Sequence, residues 1–400
     1  MILTTQQLEY IAKYANEDTS RLALHQEASL TRDEQLFALQ QIAARQRLRD
    51  KLPTIVNERR FIFPTRISTE QSSSELTAKF KATLLDEELG KNDTAQRSGV
   101  SVDLTGGLGI DSIFMGTRSK RHHYVELNPI HSKAAAENLP LMMNNVEVHN
   151  ADAETFIKTT EEHFDFIYLD PARRDDGGSK VFMLEDCTPN ILGMMPVLRQ
   201  KSEIVMVKLS PMLDVTQAIE KLRPTRVVVL SVNDECKELI AICHGQRRCK
   251  LEAVEINKRG TFRLEETETE GVEQYGLPEA GMVLYEPYAA MMKAGMFSQM
   301  AARFGIKMIA KDSHLFFMPY SETAGHSNFP GRGFIITKIE KFNKKSFNGI
   351  TKANIATRNF PMSVKEIRQR FKVGDGGELY IFCTTDNQGN KLILCCKKIS

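Results

Sequence analysis

VDLTGGLGIDS (residues 102–112), YVELN (124–128), NAD (150–152) and FDFIYLDPARRD (164–175) succeed one another along the middle of this chain. Each joins an apolar run to a polar or glycine-rich break, and the segments between them are of helix length. That alternation is the signature of repeated βαβ units and a parallel sheet, whose ligands sit at the carboxyl ends of the strands. The spacing predicts strands at 100–104, 123–127, 146–149, 164–170, 204–208, 226–231 and 239–244. Only NDECK separates the last two, too few residues for a helical crossover, so they are expected to pair as an antiparallel hairpin.

Each break brings a chemical group to one edge of such a sheet. The glycine turn from Asp103 to Gly109 suits a close backbone approach to a ligand, tight packing or a dinucleotide fingerprint. The last fits poorly, because the GxGxxG frame from Gly107 puts Ser112 at the third glycine. Glu126, 17 residues after Gly109, is placed to accept the hydroxyls of a ribose, or is an exposed strand-end acid. Asp152 suits a hydrogen bond to an adenine amino group and also a helix N-cap. Asp170 and Pro171 end the most apolar strand, where a carboxylate could accept a proton or hydrogen bond from a nucleophile, and Arg173 and Arg174 could clamp a phosphate or carboxylate. Lys208, Ser210 and Pro211 could line an acceptor pocket or pack the core edge.

Outside this region the first 65 residues read as helical: Leu8, Ile11, Ala12 and Ala15 form one stripe, and 32–52 is rich in helix formers. Ser72-x-x-Glu75 is the expected capping pair of the helix leading into the sheet. Further on, EETETEG reads as an exposed edge or loop, MVLYEPYAAMMKAGMFSQMAARFG as helix-like, and the tail as β, α, β, β with a turn at Asp386–Gly389. From Gly331 onward there are 14 Lys plus Arg against 5 Asp plus Glu, a net +9, while the rest carries −7. This asymmetry suggests a polyanionic partner, most simply nucleic acid. The seven cysteines show no CxxC spacing, so neither a disulfide framework nor a metal site is expected. No apolar run approaches the ~20 residues of a membrane helix, and no secretion signal opens the chain. A cytoplasmic protein with no membrane partner is expected.

The segments SSSELTAKFKA, DLTGGLGIDS, DPARRD and VKLSPMLD resemble those of class I S-adenosylmethionine-dependent methyltransferases, in particular a bacterial family that joins that domain to a carboxyl-terminal THUMP-like domain. The resemblance implies an α/β fold: a Rossmann-like seven-stranded methyltransferase sheet with an N-terminal helical region and C-terminal small α+β modules. The expected division is a helical domain over 1–67, the methyltransferase domain over 68–245, a ferredoxin-like connecting domain over 246–330 and a basic THUMP-like domain over 331–400. It further implies S-adenosyl-L-methionine as cofactor, held by Ser73, Asp103, Thr105, Gly106, Gly107, Gly109, Glu126 and Asp152. Asp170, Pro171 and Arg173 would take the catalytic edge, at the position of a (D/N)PP(Y/F/W) motif. Thr105 stands at a position where many relatives carry glycine, and Ala172 and Arg173 replace the second proline and the base-stacking aromatic. The expected activity is methylation of structured RNA, tRNA or rRNA, bound through residues 331–400. A small-molecule or protein methyltransferase, and an inactive RNA-binding protein on the same scaffold, are the competing expectations.

Overall fold

The computed structural model describes residues 2–90, 99–173, 183–266, 274–321, 328–343 and 345–399. They group into two compact units: Met1–Leu209 with Gln217–Thr225 and Ala241–Arg248, and Ser210–Thr216 with Arg226–Ile240 and Cys249–Ser400.

The first unit opens on helices Thr5–Lys13 and Arg32–Leu48, each started by a reciprocal capping box, Thr4 with Gln7 and Thr31 with Glu34. Tyr10 and Ile11 are buried in one cluster with Ala38, Leu39, Ile42 and Ile62. Helix Glu75–Glu88 does not start where the capping pattern places it. Its N-cap is Ser74, and Ser72 instead ends helix Arg66–Gln71. Glu75 is buried and caps a different helix, Pro53–Asn57, through Oε1 to the amides of Thr54 at 2.5 Å and Ile55 at 3.0 Å. A buried carboxylate that satisfies two orphan helix amides outweighs a local capping box.

The parallel sheet of this unit is built from β1 (Val100–Asp103), β2 (Arg121–Glu126), β3 (Val146–Asn150), β4 (Phe164–Leu169) and β5 (Ser202–Leu209). Their order is β3-β2-β1-β4-β5. Asp103 lies opposite Tyr124 and Tyr168, Glu126 opposite Asn150, and Leu169 opposite Val207. This register brings the strand ends that carry Asp103, Glu126, Asp170 and Lys208 to one edge. Val102, Val125, Ile167 and Val205 are fully buried, as expected of strands covered on both faces.

β6 (Arg226–Val232) has as neighbours the strand β7 (Glu235–His244), the expected hairpin, and the parallel strand β8 (Lys250–Asn257); of β7, Glu235–Ile240 belong to the second unit with β6 and β8. β9 (Gly260–Glu265) pairs antiparallel with β8. All seven stretches expected to be strands are strands, but β8 and β9 carry the pairing beyond seven.

A second sheet follows in the order Lys307–Met308, Phe316–Met318, Val283–Pro287, Gly331–Lys341, Lys391–Lys398, Leu379–Thr385, Asn354–Arg358. The helix-like stretch from residue 282 therefore begins as a strand, because Val283–Pro287 is buried at every position between two neighbours. Helices Ala289–Ala294 and Phe297–Phe304 come after it. Leu284 pairs with Phe334, so the boundary expected at 330/331 falls within one continuous sheet. The tail contains an additional strand, Asn354–Arg358, parallel to Leu379–Thr385. Its expected turn is closed by Asp386, whose carboxylate accepts from the amides of Gln388 and Asn390. Residues 267–273, most of the acidic stretch, lie outside the described residues.

Candidate functional site

The site grows from the loop after β1. Asp103 is almost fully buried, and its carboxylate accepts from Thr105 N at 3.0 Å and Ser112 Oγ at 2.6 Å. Burial pushes this carboxyl up to about 7, against the pull of those two hydrogen bonds. Thr105 Oγ1 accepts the amide of Asp170 at 2.6 Å. The hydroxyl therefore ties the ends of β1 and β4 together, a bond that a glycine at 105 cannot make.

The three glycines of the turn do different work. A Cβ on Gly106 would lie 2.1 Å from the Tyr124 ring, so this position must be glycine for packing. Gly107 has φ +55°, and a Cβ there would meet nothing nearer than Thr105 O at 3.8 Å, leaving clear space beside the loop. Its amide donates to Glu126 Oε2 at 2.8 Å, and its carbonyl accepts from Tyr124 Oη at 2.6 Å. Gly109 is the N-cap of helix Ile110–Gly116.

Glu126 also accepts Asn128 N at 2.7 Å through Oε1, so backbone amides aim both oxygens while each keeps a lone pair. Asp152 caps helix Ala153–Thr159 by accepting from Thr155 N at 2.9 Å. It stands on the loop after β3.

At the end of β4, the Asp170 carboxylate is ion-paired with Lys208 Nζ from β5. Ala172 and Arg173 form a two-residue antiparallel ribbon with Cys187 and Thr188. The side chain of Arg173 and all of Arg174 lie outside the described residues.

Ser73 belongs to a buried cluster whose other members the sequence reading missed. Its Oγ donates to Asp111 Oδ2 at 2.7 Å, and Tyr168 Oη donates to the same oxygen at 2.8 Å. Lys81, 0% exposed, places Nζ 3.1 Å from Asp111 Oδ1 and 3.3 Å from Ser73 Oγ. Burial works to raise the Asp111 carboxyl, but the charges of Lys81 and Lys208 and the two hydroxyl donors hold it below the usual aspartate value. The signal that could have found this cluster is a lysine flanked by buried Phe80, Ala82, Leu84 and Leu85 on one helix. Hydrogen bonds thus unite Asp103, Thr105 and Asp170 in one chain, and Gly107 and Glu126 in a second. Neither Ser73 nor Asp152 is bonded to either group.

Residues 331–398 match the THUMP domain-like family, and residues 284–323 match a ferredoxin-like domain. The crystal structure of a candidate methyltransferase from Porphyromonas gingivalis W83 is similar over 99% of this chain and 98% of its own, with TM-score 0.84 and 29% identity. A stretch of 81 residues is 31% identical to the tRNA1(Val) (adenine(37)-N6)-methyltransferase of Haemophilus influenzae (strain 86-028NP). That match covers 19% of this chain and 35% of the relative, so the chain spans about a third of the length of that curated protein. Fold, loop and strand-end acids define a Rossmann-like protein of the methyltransferase class. This chain shares the fold of that methyltransferase structure over almost its whole length and has a THUMP-like domain at its carboxyl end, and S-adenosylmethionine is the cofactor that class implies. Among the described residues no helix is long and apolar enough to cross a membrane.

The residues fit that cofactor. The clear space beside Gly107 admits a ligand against the backbone, and Glu126 retains acceptor capacity for two hydroxyls.

Proposed function

We propose that this protein methylates structured RNA, with in-line transfer at the Asp170–Pro171–Ala172–Arg173 edge. When bound, S-adenosylmethionine supplies an electrophilic methyl group on sulfur, so the protein's task is mainly alignment. Alignment of this kind can contribute roughly 7 to 11 kcal/mol. The observation that carries the reading is the hydrogen bond that the Asp170 amide donates to the Thr105 hydroxyl, which joins the cofactor loop directly to the acceptor edge.

In this reading Glu126 accepts the ribose hydroxyls, Asp152 the adenine amino group, and Gly107 gives the cofactor room. Ser73, beside the buried Lys81 charge, belongs to the carboxylate end of the cofactor. Lys208 holds the Asp170 carboxylate in place, and the face of that carboxylate turned from Lys208 accepts an N–H of the nucleophile, aiming its lone pair. Lys338, Lys341, Lys365, Arg370, Lys391 and Lys397 are exposed in the THUMP-like segment and would meet RNA phosphates. The tRNA-directed name of the Haemophilus relative points the same way.

The test is to incubate the protein with labelled cofactor and RNA from a strain lacking it, then to map the methylated nucleoside. Asp170→Ala is expected to abolish product while cofactor affinity stays within about threefold, since that residue is assigned to alignment alone. Label in a metabolite or protein fraction with none in RNA would overturn the acceptor. Unchanged product from Asp170→Ala would overturn the catalytic edge.

A further inference from the structure

A second cluster lies on the same sheet, near the amino-terminal half of β2 and away from the loop edge. His123 and Glu147 are register partners on β2 and β3, and His149 is two residues along β3, so all three share one face. His123 Nδ1 lies 2.9 Å from His149 Nε2 and 3.6 Å from Glu147 Oε2. One donor atom from each of the three residues falls within 4.8 Å of the others.

The remaining nitrogen of His123 supplies an independent observation. The residue is 4% exposed, and its Nε2 is buried without a hydrogen-bond partner, yet it faces Glu162 Oε2 at 3.4 Å. Arg121 Nη2 anchors that same oxygen of Glu162 at 2.7 Å. A carboxylate behind one imidazole nitrogen, with the other turned toward further donors, is the arrangement that orients metal-bound histidines. A proton on Nε2 leaves the Nδ1 lone pair directed at His149 and Glu147. Two imidazole nitrogens this close need something positive between them, either a shared proton or a cation.

We infer that His123, His149 and Glu147 form a binding site for a divalent transition metal of the zinc type, with Glu162 as the positioning residue behind His123. Two nitrogens and one carboxylate oxygen suit Zn²⁺ or Co²⁺ better than Mg²⁺ or Ca²⁺, which prefer all-oxygen shells. Donors about 2.1 Å from one ion lie at most ~4.2 Å apart. His123 Nδ1 lies within that range of both His149 Nε2 and Glu147 Oε2, and the half-exposed Glu147 carboxylate is free to adjust around a shared ion. Phe156 and Phe164 pack against the His123 ring at 5.9 and 6.0 Å, walling one side of the site, while Glu147 leaves an entry from solvent. The ion would clip β3 to β2, and β3 leads directly to Asp152. This inference does not rest on the assigned reaction, and it departs from the sequence expectation of no metal.

The test uses the full chain and the metal alone. Metal-stripped protein is titrated with Co²⁺ and then with Zn²⁺ against a chromophoric chelator. One equivalent should bind, with the visible bands of nitrogen and oxygen ligation and no thiolate charge-transfer band, which separates this site from the seven cysteines. His149→Gln should abolish the spectrum. Glu162→Gln should retain it with affinity lowered about 10- to 100-fold. Zn²⁺ should raise the melting temperature of the unaltered protein, a readout that needs no variant to fold. No uptake by the unaltered protein, a thiolate spectrum, or equal uptake by His149→Gln would mean a hydrogen-bonded histidine pair only, and would sink the proposal.

Discussion

Lys81→Met isolates the buried charge beneath the cofactor loop. Lys81 has no exposed surface, and its ammonium stands 3.1 Å from Asp111 Oδ1. Met keeps most of the stem volume, so the cavity term of a shorter side chain is largely avoided. The Ser73 and Tyr168 hydroxyls still donate to Asp111 in the variant, and their contribution cancels in the comparison. What remains is a buried carboxylate without its nearest counter-charge, which costs about 3–5 kcal/mol. The pH dependence follows from the sign of the shift. In the native protein Asp111 is held below its ordinary value of 3.8, so its ion pair stabilises above the unfolded pKa and is lost as pH falls through the depressed native one. Without Lys81 burial dominates and the carboxyl rises, so the variant's native state takes up a proton as pH is lowered. Its deficit should therefore be largest near pH 8 and should shrink toward pH 5. The chain contains no tryptophan, so urea unfolding is best followed by far-ultraviolet circular dichroism, reading the transition of the first unit. A midpoint lowered by about 1 M or more at pH 8 is expected. A loss below about 1 kcal/mol, or an equal loss at both pH values, would refute the reasoning. In Lys81→Met/Asp111→Asn the orphaned charge is gone, so the double variant should be more stable than Lys81→Met alone.

Three further substitutions test neighbouring links. Gly106→Ala drives a Cβ to 2.1 Å from the buried Tyr124 ring, so it should destabilise by about 1–3 kcal/mol and weaken cofactor binding, both measurable by calorimetry. Thr105→Val keeps the shape but removes the acceptor for the Asp170 amide, so turnover should fall roughly 10- to 100-fold while cofactor affinity changes little; a fall in affinity without a fall in turnover would contradict the positioning role. Asp103 has its native pKa raised to about 7, so the native state binds a proton that the unfolded chain releases near 3.8, and stability drops as pH rises between those values by up to about 4 kcal/mol. Asp103→Asn should flatten that slope in urea titrations from pH 4.5 to 7.5, and an unaltered slope would reassign it to another group.

The strands and the loop were legible because they are written in local signals. FDFIYL is apolar at nearly every position, as a doubly covered strand must be, and the turn after β1 needs glycine at 106 for a reason that resides on the adjacent strand in Tyr124. Where the reading failed, a distant partner overruled the local pattern. Glu75 looks like half of a capping box, yet its carboxylate is used 20 residues upstream at Ile55. The stretch from Val283 looks helical by composition, but two antiparallel neighbours draw its first five residues into a sheet. Lys81 looks like an ordinary surface lysine on a helix until Asp111, 30 residues later in the chain, supplies its counter-charge. None of these partners is visible at helical or strand spacing.

The same distinction separates the two halves of the site. In the proposed reading cofactor recognition rests on backbone amides, small residues and strand-end acids, all of which lie in short motifs. In the same reading acceptor recognition depends on what lies around Asp170, and there the structure pairs its carboxylate with Lys208, which the sequence already placed at the acceptor pocket, leaving it committed on one side. An aspartate so held is suited to orienting a nucleophile more than to removing its proton, because abstraction would require it to exchange a nearby cation for a shared hydrogen. A nucleophile that arrives with its lone pair available, such as an exocyclic or ring nitrogen of a base, asks only for that orientation. Lys208→Met separates the two roles: freed of its partner, the Asp170 carboxylate should lose its aim. Turnover should then fall at all pH values, and a variant faster than the parent at high pH would show that proton removal, not alignment, had been limiting.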